Sequence, residues 1–155
     1  MNGKSLYDFP IHLGLGGRAV AEPEFTGGME WYEAYGERHS DDGPEGRLVS
    51  LFRFQEPWTS WEMHPAGDEV VCCLQGEMSL HQELPDGSTA SCDLGPGDYA
   101  INPPGAWHTA DADGPVVALF ITVGKDTTHR PRGSEDLRAR RPARPAVENG
   151  AAGED

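Results

Sequence analysis

The chain predicts an all-β fold of the sandwich or barrel class, and three observations carry that prediction. Turn residues recur roughly every eight to twelve positions through the middle of the sequence. Arg47 to Phe54 and Glu77 to Leu84 alternate apolar and polar residues with the period of a half-buried strand. The 155 residues include 20 glycines and 13 prolines, a composition that favours short strands and tight turns over long helices.

Taken in order, residues 1–28 form an arm. Leu6, Phe9, Ile11, Leu13 and Leu15 are interrupted by Gly14, Gly16 and Gly17, which suits one or two short strands. The G-x-G-G run at Gly14 to Gly17 has no strand-to-helix context and is not read as a nucleotide loop. Met29 to Tyr35 is aromatic and is read as a strand, and His39 to Gly46 as a loop. Arg47 to Phe54 sets Leu48, Ser50, Phe52 and Phe54 on one face against Arg47, Val49, Leu51 and Arg53. Gln55 to Trp58 turns the chain.

Beyond Gly76, Met78, Leu80 and Leu84 oppose Glu77, Ser79, His81 and Glu83. Pro85-Asp86-Gly87 is a hairpin turn, and Ser88 to Leu94 returns from it. Gly95 to Asp98 turns again into Tyr99 to Asn102, and Trp107 to Ala110 is a short strand. Val116 to Val123 is apolar on both faces, as a doubly covered strand should be. From Lys125 the composition shifts to Arg, Pro, Gly and acids. That segment cannot bury enough apolar surface to offset its ordering entropy. The expected organisation is an arm over 1–28, a barrel over 29–124 and a flexible, loosely ordered tail over 125–155. The tail has room for one short helix near Ser134 to Arg141, and its RARRPARP run is read as solvated.

Net charge is −14 and unevenly spread. Residues 125–155 hold seven basic and six acidic residues, which leaves five basic against twenty acidic in residues 1–124. Such a body repels phosphates and anionic lipid, which argues against nucleic acid and membrane partners. No apolar run approaches the roughly 18 residues of a membrane span. The N-terminus lacks the apolar core of a secretory signal, so the expected compartment is the cytoplasm. Cys72, Cys73 and Cys92 have no C-x-x-C spacing and read as small buried hydrophobes in a reducing environment.

The chemistry concentrates in two stretches. In Trp61 to Gly76, Glu62 and His64 stand two apart and share one face of an extended strand. Pro65 to Asp68 can make a hairpin loop, and Glu69 opens the apolar run that ends at Gly76. The second stretch, G-D-Y-A-I-N-P-P-G-A-W-H, runs from Gly97 to His108.

Together they resemble the two motifs of the cupin superfamily, G-x5-H-x-H-x(3,4)-E-x6-G and G-x5-P-x-G-x2-H-x3-N. His64, four residues, Glu69, six residues and Gly76 fit the first. Gly97, five residues, Pro103, one residue, Gly105, two residues and His108 fit the second. Three positions depart: Glu62 replaces the first histidine, Glu56 the opening glycine and Ala112 the closing asparagine. The resemblance extends over roughly residues 45–124. It implies a cupin-type jelly-roll barrel, an arm used in contacts of a homodimer, and one divalent metal ion held by His64, Glu69 and His108.

Imidazole with carboxylate suits Fe, Mn, Zn, Ni or Co, and two histidines with one carboxylate is the pattern of non-haem iron oxygenases. Glu62 is either a fourth metal ligand or a catalytic general base beside the cation. Phe52, Phe54, Met78, Leu80, Tyr99, Ile101, Trp107 and Phe120 are candidates for the wall of a small-molecule pocket, core packing being the competing role of each. Trp58, Trp61 and Trp107 flank the motifs, and any of them can gate the mouth. His129 and Arg130 read as tail, with closure over the opening around an anionic group as the alternative. His12, His39 and His81 have no partner visible in the sequence. The resemblance implies an enzyme acting on a small organic molecule, of the dioxygenase or the proton-transfer isomerase or cyclase type. A non-catalytic small-molecule binding protein, either a metal-dependent sensor or a structural barrel, is the alternative.

Overall fold

The computed structural model describes residues 2–133. An antiparallel hairpin, β1 (Ile11–Gly14) and β2 (Arg18–Ala21), opens the chain and turns through Leu15–Gly17. After α1 (Met29–Arg38) come β3 (Arg47–Phe54), β4 (Ser60–Met63), β5 (Glu69–Gln75), β6 (Met78–Glu83) and β7 (Thr89–Leu94). The chain continues through β8 (Tyr99–Asn102), β9 (Trp107–Ala112), β10 (Val116–Thr122) and β11 (Thr128–Pro131). One sheet has the order β2-β1-β3-β10-β5-β8 and the other β11-β4-β9-β6-β7. From β3 to β10 the chain distributes eight antiparallel strands between two facing sheets, the arrangement of a jelly roll.

The alternation in the sequence becomes the barrel interior. Val71, Cys73, Met78, Leu80, Leu94, Ala110, Ala112, Val116, Ala118 and Phe120 form the buried core, with Phe52, Phe54 and Trp58 packed against it. Each large side chain fully withdrawn from water here contributes about 1.5–3 kcal/mol. Gly76 ends β5 at φ 81°, where a Cβ would collide with the carbonyl oxygen of Pro115. Only glycine meets both demands, which accounts for its place in the motif.

Met29–Tyr35 is helical, not extended. Aromatic content suggested a strand, but Trp31 and Tyr35 are four apart, and both are buried with stacked rings 5.8 Å apart. Residues four apart share a helix face, and Leu48 of β3 and Phe25 complete the cluster they pack into. Glu30 in the first turn and Arg38 in the last complement the helix dipole.

Four residues of the segment that begins at Lys125 also depart from expectation. Thr128–Pro131 pairs with β4 as an edge strand in the register Thr128↔Met63, His129↔Glu62, Arg130↔Trp61. The Arg130 guanidinium lies 5.1 Å over the Trp61 ring and 4.5 Å over that of Trp107, and it pairs with Glu83. These aromatic and charged contacts hold a segment that has few apolar residues of its own. The helix expected near Ser134 to Arg141 and the RARRPARP run lie outside the described residues. Among the described residues no helix is long and apolar enough to cross a membrane.

Candidate metal centre

Three local features bring four side chains together. β4 projects Glu62 inward and ends just before His64, β5 begins at Glu69, and β9 places His108 directly across from Glu62. His64, Glu69 and His108 are 3%, 2% and 0% exposed. Glu69 Oε1 stands 3.3 Å from His64 Nε2, and Oε2 stands 3.0 Å from His108 Nε2. Glu62 reaches to 4.0 Å from each of those nitrogens, one oxygen to each. Glu62, His64 and His108 each offer a ligand atom within 4.8 Å of the other two.

The hydrogen bonds fix which nitrogen carries the lone pair. Thr127 Oγ1 donates to the Gly124 carbonyl at 3.2 Å, so its oxygen accepts from His64 Nδ1–H at 2.8 Å. His108 Nδ1–H points to the Ala106 carbonyl at 3.4 Å, and a carbonyl can only accept. In both neutral rings the lone pair is therefore on Nε2. Both Nε2 atoms are buried without a hydrogen-bond partner. Two such orphans facing two carboxylates fit a divalent cation, because native structures rarely leave buried polar atoms unsatisfied.

Glu69 is held by a relay. Thr122 Oγ1 donates to Oε1 at 2.7 Å and Asn102 Nδ2 to Oε2 at 2.9 Å, while Gln82 Nε2 donates to Asn102 Oδ1 at 2.6 Å. Burial alone would raise the Glu69 pKa, but the imidazoles of His108 and His64 outweigh it and hold the carboxyl well below its usual range. For His108, burial works downward and is overcome by Glu69 and then Glu62, so its pKa is raised. Asn102, Thr122, Thr127 and Gln82 have no motif role in the sequence reading. Asn102 does sit one residue before Pro103 of the second motif, an available signal.

The open side of this cluster has residues from both chain ends. His129 Nε2 lies 3.2 Å from Glu62 Oε1 and its side chain is half exposed. The Tyr32 phenol on α1 is pushed up to about 12, first by burial and then by the Glu62 charge, and stays a proton donor at neutral pH. The candidate wall residues divide. Met78, Leu80 and Phe120 belong to the core, with Phe52 and Phe54 at its margin. Tyr99 and Ile101 are 64% and 50% exposed on the outer face, because Asn102 is the residue of β8 that points to Glu69. Trp107 likewise faces out under Arg130, since its neighbour His108 faces in.

Two further histidine networks lie elsewhere. On the outer face of the second sheet, His81 bridges Ser91 and Asp111 at 2.8 Å each, and Arg132 Nη1 lies 2.6 Å from Asp111. Near the arm, His12, His39 and Asp42 offer three donors within 4.8 Å of one another. There Tyr35 O–H donates to His12 Nδ1 at 2.8 Å, and His12 Nε2–H donates to Asp42 at 2.6 Å. His39 donates to Glu22 at 2.6 Å. The His12 and His39 rings are stacked at 3.6 Å and 12°. Imidazole lone pairs lie in the ring plane, so stacked rings do not aim at one ion.

Residues 51–124 match the Cupin domain family. No curated protein matches the chain. Hydroquinone 1,2-dioxygenase from Sphingomonas sp. TTNP3, solved with 4-hydroxybenzoate bound, is 19% identical over 49% of this chain and 59% of its own, with a TM-score of 0.43. A cupin superfamily protein from Desulfitobacterium hafniense is 28% identical over 49% of this chain and 65% of its own, with a TM-score of 0.42. Oxalate decarboxylase from Lactobacillus farciminis, in a formate complex, is 14% identical over 62% and 29%, with a TM-score of 0.48. This chain therefore spans 59% and 65% of the first two. By the family match and by the motif residues gathered in the barrel, residues 51–124 form a cupin domain.

Proposed function

We propose that the barrel holds one divalent metal ion and that the protein is an enzyme acting on a small organic molecule there. The observation that carries this reading is the pair of buried Nε2 atoms, on His64 and His108, turned toward Glu62 and Glu69 with no hydrogen-bond partner. His64, Glu69 and His108 hold the ion, and Glu62 completes the set or stands beside it. When bound, the ion supplies Lewis acidity toward a carbonyl or enolate oxygen, or a site for O₂.

The chain's own residues do the remainder. Thr127 and the Ala106 carbonyl keep the two imidazoles in the ligating tautomer. Asn102 and Thr122 orient the Glu69 carboxylate. Glu62 is the least buried of the four, and its carboxylate faces the open side, where it can accept a proton from a bound substrate. Tyr32, whose phenol stays protonated beside Glu62, offers an O–H donor to an oxygen of that substrate. The reaction is dioxygenation or proton-transfer isomerisation or cyclisation. The exposed Leu74, Tyr99 and Ile101 on the outer face of the first sheet support a homodimer, which sedimentation analysis tests.

The test is elemental analysis of protein purified without chelator, followed by O₂ uptake and product analysis with diketones, phenols and hydroxy acids. Stoichiometric metal with turnover is the expected result. Protein that takes up no metal overturns the reading, and metal with ligand binding but no turnover points to a sensor. Glu62→Gln that keeps metal but loses turnover makes Glu62 a base, whereas loss of the metal makes it a ligand.

A further inference from the structure

The stretch from Thr127 to His129 lies beyond the residues that match the family, yet two of its side chains reach the metal cluster. Thr127 precedes β11 and closes on His64 Nδ1. His129 is paired in register with Glu62, at the free edge of the second sheet. We infer that this segment is a built part of the site, in which Thr127 positions His64 and His129 positions Glu62, so that together they set its metal affinity. The inference rests on the metal reading above.

The physical case is different for each residue. An imidazole can turn about its Cβ–Cγ bond and carry its proton on either nitrogen. The Thr127 hydroxyl, already donating to Gly124, can only accept, and so selects the tautomer with Nε2 free. Glu62 is a long side chain on the open side of the cluster, and ordering it costs rotamer entropy. His129 Nε2, 3.2 Å from Oε1, anchors that carboxylate where its two oxygens face His64 and His108. The imidazole that the motif would have at position 62 stands instead one strand over, holding the glutamate that took its place.

The experiment measures affinity of the full chain for Zn²⁺ by chelator competition, and the visible spectrum of Co²⁺-loaded protein. The unmutated chain is compared with Thr127→Val, Thr127→Ser, His129→Ala and His129→Gln. Thr127→Val and His129→Ala should each weaken affinity about 10- to 100-fold and shift the Co²⁺ spectrum, while the Ser and Gln variants recover most of the loss. Unfolding of the metal-free variants serves as the control for folding, and the half-exposed His129 should leave it unchanged. Val and Ala variants within about threefold of the unmutated chain overturn this inference alone, as does a loss that Ser and Gln do not rescue. An unmutated chain that takes up no Zn²⁺ or Co²⁺ overturns it together with the reading beneath it.

Discussion

Two clusters in this protein are built from the same residue types, histidines with carboxylates, and they serve opposite ends. In the barrel, His64 and His108 use Nδ1 to fix their rings and leave Nε2 buried and unpaired. Beside α1, both nitrogens of His12 are occupied, by Tyr35 and Asp42, and its ring is stacked on His39. Arg18 adds a further bond to Asp42 at 2.8 Å, and Arg38 pairs with Glu22 at 2.6 Å. The first cluster leaves two buried imidazole lone pairs without a hydrogen-bond partner, which is the feature the metal proposal rests on. The second is closed and ties β1, α1 and the Asp42 turn into one clamp. What distinguishes them is the direction and occupancy of lone pairs, which composition does not record.

The largest expected effect is on metal binding. His108→Ala should abolish stoichiometric uptake, by about 100-fold or more in affinity, as read by chelator competition. His12→Ala should leave uptake unchanged, and a loss there would erase the contrast. Next comes stability: His12→Ala breaks a buried hydrogen-bonded pair and should cost about 3 kcal/mol in urea unfolding. A cost near zero would mean the clamp bears no load.

Metal addition should raise the unfolding free energy by about 2.7 kcal/mol at a free concentration one hundred times Kd, reversed by chelator. The His108→Ala chain should show no such gain, whereas the His12→Ala chain should show it in full. The smallest effect is a pH slope. The hydrogen bond from His12 comes first in lowering the Asp42 pKa; burial opposes it and Arg18 assists. A carboxyl depressed in the folded state contributes stability above its unfolded pKa, about 3.9, and loses it as pH falls through the folded value. Asp42→Asn should therefore flatten the acid limb of stability against pH in thermal scans, and an unchanged limb would place that proton linkage elsewhere.

Much of the barrel was legible beforehand because strand alternation is a local property. Leu48, Ser50, Phe52 and Phe54 share a face in sequence and in space, and Met78 and Leu80 enter the core as their spacing requires. The same period misled where it was not applied strictly. Aromatic or apolar character groups Tyr99, Ile101 and Trp107 with the pocket, although their neighbours Asn102 and His108 take the inward positions. Aromatic propensity for strands hides the helix at Met29–Arg38, whose signal is the four-residue spacing of Trp31 and Tyr35.

From sequence alone came an all-β sandwich or barrel, because turn spacing and period-two alternation are written along the chain; the resemblance of its motif spacing to the cupin family added the jelly roll and the expectation of a metal at Glu62, His64, Glu69 and His108. Tertiary structure alone decided the partners of His12, His39 and His81, the Gln82–Asn102–Glu69 relay, and the place of His129 beside Glu62. Those contacts join residues 10 to 67 positions apart in the chain. Such contacts depend on strand order and register, which no local pattern of residue types encodes.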